Sequence, residues 1–330
     1  MYSREILRGL AAAHPDDRFF HCYRAKQYRG APRSLWPNVE TNALLPLLGG
    51  TFARPDVFHA LNQRVDRRLG RKVVATFHDL FVMTGEYSSP DFRRRFASQA
   101  RIAEGNSDLI IAVSQFTAKQ VQDVLGVDPS RIRVIPHGVL PPRLLARQEE
   151  KMVLSVGAIQ LRKNTARVIE AFETLPIDWS LVLAGAADGY GAAEILARIQ
   201  TSPAKDRIKV AGYVSPDELE RLYSRAAIFA FPSLDEGFGM PVLDAMARGV
   251  PVVTSNCSAM PEVAGDAALL VDPNETGEIA AALLALAGSK ERRDSLAAAG
   301  RIRAESFSWG RAVDETYAVY RELVAGQGNN

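Results

Sequence analysis

Two carboxylates eight residues apart, Glu236 and Asp244, lie in the densest stretch of the sequence, FAFPSLDEGFGMPVLDAMARGVPVVTS at 229–255. An apolar run ends at Pro232 and Ser233, and a loop follows with Glu236, Gly237, Phe238 and Gly239. Pro241 then begins a helix that stops at Gly249. Proline at the start and glycine at the end is the expected asymmetry of a short helix. Backbone N–H groups at such a start favour anions, and glycines let a ligand approach the backbone closely. An anion or sugar hydroxyls can therefore bind there, with Glu236 in the loop and Asp244 one turn into the helix. The plainer alternative is a glycine-containing turn with Asp244 merely solvated.

Two further segments carry chemistry. In VGAIQLRKN, 156–164, the adjacent cations Arg162 and Lys163 sit at a loop-to-helix junction. Paired cations beside a helix start suit a diphosphate; the alternative is a solvated basic pair. In VVATFHDL, 73–80, a strand runs into His78 and Asp79. A histidine at a strand's carboxyl end suits a ligand cleft, and the alternative is a loop histidine bonded to Asp79.

Absences narrow the chemistry. The sequence has no Asp-x-Asp, which argues against a carboxylate-held Mg²⁺ or Mn²⁺ on a nucleotide diphosphate. It has no P-loop, no G-x-G-x-x-G fingerprint and no G-x-S-x-G elbow. It has no His/Cys cluster of zinc-binding pattern. No metal and no cofactor are expected.

The elements that must hold these residues alternate between short β-branched runs and amphipathic helical runs, the α/β pattern. In the first half, strands are expected at 19–23, 56–60, 73–77, 108–114 and 132–136, with helices at 3–13, 90–104 and 115–125. The first helix carries Ile6, Leu7 and Leu10 on one face. Residues 137–150, with adjacent prolines, read as a linker. In the second half, strands are expected at 152–158, 180–185, 208–214, 228–232, 250–255 and 267–271. Helices are expected at 165–172, 216–226 and 241–248, with a helical tail from about 278. Two doubly wound sheets follow, not one barrel. Ligands of such sheets bind beyond the carboxyl ends of the strands. A cleft between the two is the expected site.

The 330 residues (36.1 kDa, mean hydropathy −0.07) are 47% hydrophobic and 24% charged, which excludes disorder and collagen-like repeats. No apolar stretch reaches the ~20 residues of a membrane span. The charged N-terminus reads as an amphipathic helix rather than a signal peptide. Two cysteines, Cys22 and Cys257, cannot form a disulfide framework. The expected location is cytoplasmic. The net charge of +2 hides an asymmetry: 22 Lys/Arg against 13 Asp/Glu in 1–147, and 18 against 25 in 148–330. A basic first half is suited to phosphates or an anionic membrane surface.

The order HDL, AVSQFTAKQV, IPHGV, VGAIQLRKN and GYVSPDELERLYSRAAIFAFPSLDEGFGMPVLDAMARGVPVV resembles the retaining, nucleotide-sugar-dependent glycosyltransferases of family 4, from Tyr2 onward. The resemblance implies the GT-B fold: two Rossmann-like doubly wound domains facing across a cleft. Residues 1–147 would be the acceptor side and 148–330 the nucleotide-sugar side, with the last helix able to pack back on the first domain. Around HDLF and RKN the chain is most similar to bacterial O-antigen and exopolysaccharide mannosyltransferases.

The same resemblance assigns roles. Glu236 matches the acid that bonds donor sugar hydroxyls. Asp244 stands where a glutamate usually holds the ribose diol. Gly157 lines the donor, and Gly237, Phe238, Gly239 and Met240 offer it backbone N–H groups. Lys163 with Arg162 matches the diphosphate-binding pair, and Ala158 stands where a further arginine is common. His78 matches the histidine beside the donor sugar. The donor would be a GDP- or UDP-sugar and the acceptor a glycan or polyprenyl-linked glycan, transferred to by front-face attack with retention. Peripheral contact with the inner face of the plasma membrane is compatible with the basic half; nucleic acid is not expected as a partner.

The family pattern places a strand and a Gly-rich turn ahead of the helix that here begins at Tyr2, so the first domain is expected to lack its first strand. A nucleotide-sugar-binding pseudoenzyme, an inactive product with an incomplete first domain, and a GT-B sugar-nucleotide epimerase remain alternative readings.

Overall fold

Every strand pairing among the described residues is parallel, as alternating strands and crossover helices require. The computed structural model describes residues 1–24, 36–44, 55–143 and 146–325. They form two units that are not the two halves of the chain. One unit is Met1–Leu80, Arg94–Gly138 and Ser308–Asn330; the other is Phe81–Arg93 and Val139–Phe307.

The first unit holds β1 (Phe19–Arg24), β2 (Val39–Leu44), β3 (Val57–Ala60), β4 (Lys72–Phe77), β5 (Leu109–Ala112) and β6 (Ile132–Val134). They make two sheets, β1-β2 and β3-β4-β5-β6, where one continuous sheet was expected. The strand that the family pattern places ahead of the first helix is not among them. Strand β2, VETNAL, has no apolar alternation to announce it and was not anticipated. The helix Tyr2–Ala13 buries Tyr2, Ile6 and Leu10 against Val74, Leu109 and Ile111. Tyr2 thus fills the place expected of Leu7, which is only half-buried. The helix Trp309–Ala325 adds Val313, Val319 and Leu323 to the same core. Its approach depends on Gly9: a Cβ there would stand 2.2 Å from Val313 Cγ2.

The second unit holds β7 (Glu150–Val156), β8 (Ser180–Ala184), β9 (Ile208–Gly212), β10 (Ala226–Phe231), β11 (Val252–Ser255) and β12 (Leu269–Val271). All six form one sheet in the order β9-β8-β7-β10-β11-β12. Numbered within the unit this is 3-2-1-4-5-6, the doubly wound dinucleotide-binding order. Strand β10, AAIFAF, is buried at every position, as a central parallel strand covered on both faces must be. On one face, the helices Thr165–Phe172 and Thr276–Ala287 bury Val168, Ile169, Phe172, Ile279, Leu283 and Leu286 in a core shared with Leu181, Ile228 and Val253. The helix Pro216–Arg225 starts as its sequence dictates, with Ser215 Oγ accepting from the Glu218 amide and proline in the first turn.

Candidate active site

The order of the second sheet reverses between β7 and β10, and the loops leaving these neighbouring strands carry the predicted charges. Beyond β7 come Gly157 and a 3-10 turn, Leu161–Lys163; beyond β10 come Ser233, Asp235 and Glu236. Ligands of open α/β sheets bind at such a reversal, outside the carboxyl ends of the strands. Gly157 has φ +143, and a Cβ on it would stand 3.3 Å from Lys163 Cε, so glycine leaves the path along which the lysine folds back. Asn164 takes the left-handed conformation (φ 57) that asparagine tolerates. Its amide donates to the carbonyls of Pro232 at 3.0 Å and Pro273 at 2.6 Å, pinning the basic turn to the strand ends.

Three predicted residues meet on one oxygen. Glu236 Oε1 accepts from Lys163 Nζ at 2.5 Å and from Ser233 Oγ at 2.8 Å, and pairs with Arg162 Nη1 at 2.8 Å. Side-chain exposures of 9% for Arg162, 14% for Lys163 and 10% for Glu236 make this a partly desolvated cluster rather than a surface ion pair. Burial pushes the Glu236 carboxyl up, but Lys163 and Arg162 outweigh it and hold it below the usual range. Arg162 also donates to the Asp235 carbonyl and lies over the Phe81 ring. Lys163 Nζ lies 4.4 Å from the Phe231 ring centroid. Chemically, two fixed cations can take phosphate oxygens, and an ionised carboxylate beside them can accept from hydroxyls.

The loop 237–240 leads into the helix Met240–Ala247 through Gly239, at φ +99, with no side chain capping the helix start. Among the described residues the Gly239 and Met240 amides have no backbone acceptor, which leaves two donors aimed out of the helix start. Phe238 is 5% exposed and packs edge-on against Phe307, so its side chain belongs to the packing of the unit. Asp244 joins a different network. Arg248 Nη1 donates to Asp244 Oδ1 at 3.1 Å, and the same guanidinium pairs with Glu220. Burial pushes the Asp244 carboxyl up against the lowering pull of Arg248.

His78 lies in the first unit, one residue past β4. Its Nε2 donates to the Leu61 carbonyl at 3.0 Å, which leaves Nδ1 to accept from His137 Nε2 at 3.3 Å. The partners are these two groups, and not the Asp79 of the alternative reading. Burial lowers the His78 pKa, so the ring is held neutral.

Sequence reasoning did not single out Ser233, Asn164, Asp235, Phe81 or Thr84. Ser233 and Asn164 stood inside the quoted motifs, whereas Thr84 Oγ1 reaches Asp235 Oδ2 (2.9 Å) across 151 positions, which no local signal shows. Among the described residues no group of three His, Cys, Asp or Glu is placed to hold a metal ion. Among them, too, no helix is long and apolar enough to cross a membrane.

Comparison with known proteins gives consistent matches. A family model described as glycosyl transferases group 1 matches residues 140–303, and one described as glycosyltransferase family 4 matches residues 7–141. The O-antigen chain mannosyltransferase B of Escherichia coli is 31% identical over 287 residues, covering 81% of this chain and 74% of that protein. Among solved structures, the sucrose-phosphate synthase of Thermosynechococcus elongatus superposes with TM-score 0.79 at 21% identity, covering 98% of this chain and 93% of that one. Anabaena HepE in complex with UDP-glucose superposes with TM-score 0.70 at 18% identity, covering 86% of each chain.

Proposed function

The chain belongs to the family 4 glycosyltransferases of GT-B fold, and from that premise we propose that it moves a hexose, mannose first, from a GDP- or UDP-linked donor to a glycan or polyprenyl-linked acceptor, with retention and without a metal. The observation that carries this is the meeting of Arg162, Lys163 and Glu236 at the reversal point between β7 and β10. The similarity to an O-antigen mannosyltransferase supports the choice of mannose, and the UDP-glucose bound by HepE supports a nucleotide-sugar donor.

The chemistry follows from charge. Breaking the bond between the sugar's anomeric carbon and the diphosphate leaves negative charge on the departing phosphate oxygen. Fixed cations aimed at that oxygen stabilise the transition state more than the ground state. Arg162 and Lys163 supply them, and the Gly239 and Met240 amides add oriented dipoles. Glu236 accepts hydrogen bonds from the sugar hydroxyls, and Asp244 takes the ribose diol. His78 is retained as the group meeting the donor sugar on the strength of its motif. The acceptor hydroxyl attacks from the face the diphosphate leaves, and its proton passes to the departing phosphate. The basic first half suits peripheral contact with an anionic membrane at the cytoplasmic side.

The test is a calorimetric titration of GDP and UDP with and without EDTA, followed by an assay of GDP-mannose and UDP-sugars with and without a polyprenyl-linked glycan. Binding abolished by the chelator would sink the metal-free reading. Turnover of the nucleotide sugar without acceptor would point to an epimerase instead.

A further inference from the structure

We infer that Phe81 is a positioning residue for donor binding: its ring fixes the plane of the Arg162 guanidinium that meets the diphosphate. This rests on the assignment of Arg162 to the donor phosphates made above. Arg162 Cζ lies 4.1 Å from the Phe81 ring centroid. The guanidinium is held on its other contacts by the Asp235 carbonyl and by Glu236 Oε1. A guanidinium lying on an aromatic face keeps its in-plane N–H groups for hydrogen bonds, and the ring quadrupole favours the cation there. An aliphatic side chain of similar size would fill the space without that attraction.

Phe81 does not act as an isolated contact. It opens the short helix Phe81–Thr84, which belongs to the same unit as Arg162 despite lying 81 positions earlier. Thr84 Oγ1, one turn on, donates to Asp235 Oδ2 at 2.9 Å, and Asp235 is the residue whose carbonyl holds Arg162. Tyr87 follows, its ring 6.3 Å from that of Phe81. Burial, and then the negative charge of Asp235, push the pKa of its hydroxyl up. A segment from the first half of the chain thus braces the phosphate-binding loop at more than one point. Without the ring, the guanidinium would be held only through Nη1, by the Asp235 carbonyl and Glu236 Oε1, and its plane would be free to turn about those contacts.

The test uses the full chain and titrates GDP and UDP by calorimetry. Phe81→Leu should raise the Kd about three- to tenfold, the range of a partly desolvated cation–π contact, and Phe81→Tyr should restore wild-type affinity. In an Arg162→Ala background, Phe81→Leu should cost nothing further, which separates coupling from loss of packing even if the single variant is less stable. Equal affinity of wild type and Phe81→Leu, failure of tyrosine to rescue, or additive losses in the double variant would each overturn the inference. A wild-type chain that binds neither nucleotide would overturn the donor assignment itself.

Discussion

Lys163 Nζ and Glu236 Oε1 stand 2.5 Å apart, the lysine reaching across Gly157 from the loop after β7 to the loop after β10. A group suited to phosphate and a group suited to sugar hydroxyls are thus bonded to each other. The lysine helps to hold the Glu236 carboxyl ionised, and the contact fixes both side chains. A nucleotide sugar would insert its phosphate oxygens beside a cation that is already oriented, so little reorganisation is needed on binding.

Lys163→Ala should weaken GDP or UDP binding on the order of tenfold or more, because a hydrogen bond to a charged group contributes ~1.5–3 kcal/mol. Calorimetry with EDTA present should give the same wild-type affinity as without it. An unchanged affinity in the variant would remove Lys163 from the site.

Glu236→Ala and Asp244→Ala should separate the two acids. The first should reduce turnover of the nucleotide sugar while sparing affinity for the bare nucleotide diphosphate, since it frees Lys163 and Arg162 for phosphate. The second should weaken both ligands, and it leaves Arg248 with Glu220 as its carboxylate partner. Equal losses of nucleotide affinity would show that the division of roles is wrong.

Acid should loosen the first unit through His137. Burial, and then the neighbouring His78 and chain N-terminus, push its pKa down to about 3 from an ordinary 6.5. The folded value lies below the unfolded one, so the unfolded chain binds the extra proton. Stability is full above about pH 6.5 and is lost as pH falls toward 3, amounting to about 2 kcal/mol at pH 5. Urea unfolding between pH 7.5 and 5 should show this slope together with that of His59, which burial likewise pushes down to about 3, and His137→Asn should reduce it. A variant with the wild-type slope would remove His137 as its source.

Hydrogen exchange should divide the sheets. Among the described residues, strands β1 and β2 pair only with each other, whereas β7 and β10 are hydrogen-bonded on both sides in a six-stranded sheet. Two-stranded sheets are marginal alone and open at low cost. Peptides covering 19–24 and 39–44 should exchange faster than those covering 150–156 and 226–231. Equal protection would mean that the packing of the first unit compensates for the missing ladder bonds.

The sequence made the second sheet legible because its strands are short, apolar and punctuated by helix starts such as Ser215-Pro216 and Gly239-Met240-Pro241. It also pointed to Arg162, Lys163 and Glu236, since each lies within a few residues of a strand end. Their convergence on one oxygen was not legible, because it depends on β7 and β10 being neighbours though 73 positions separate the side chains. Phe81 escaped notice for the same reason. Strand β2 escaped because Glu40, Thr41 and Asn42 interrupt any apolar period, and its pairing to β1 is a tertiary fact.

The division of the chain between its units bears on synthesis. The polypeptide belongs to the first unit through Leu80, to the second for Phe81–Arg93, to the first again for Arg94–Gly138, and returns to it only at Ser308. The helix Tyr2–Ala13 packs through Gly9 against Val313, far along the chain in the helix Trp309–Ala325. An amino-terminal domain usually folds first during translation, but the core of this first unit cannot close before residues beyond 308 are made. Residues through Phe307 suffice for the second unit, while the core of the first waits for the final helix. A nascent chain stalled short of 308 would hold every residue of the second unit and leave Ile6 and Leu10 without the helix that packs against them.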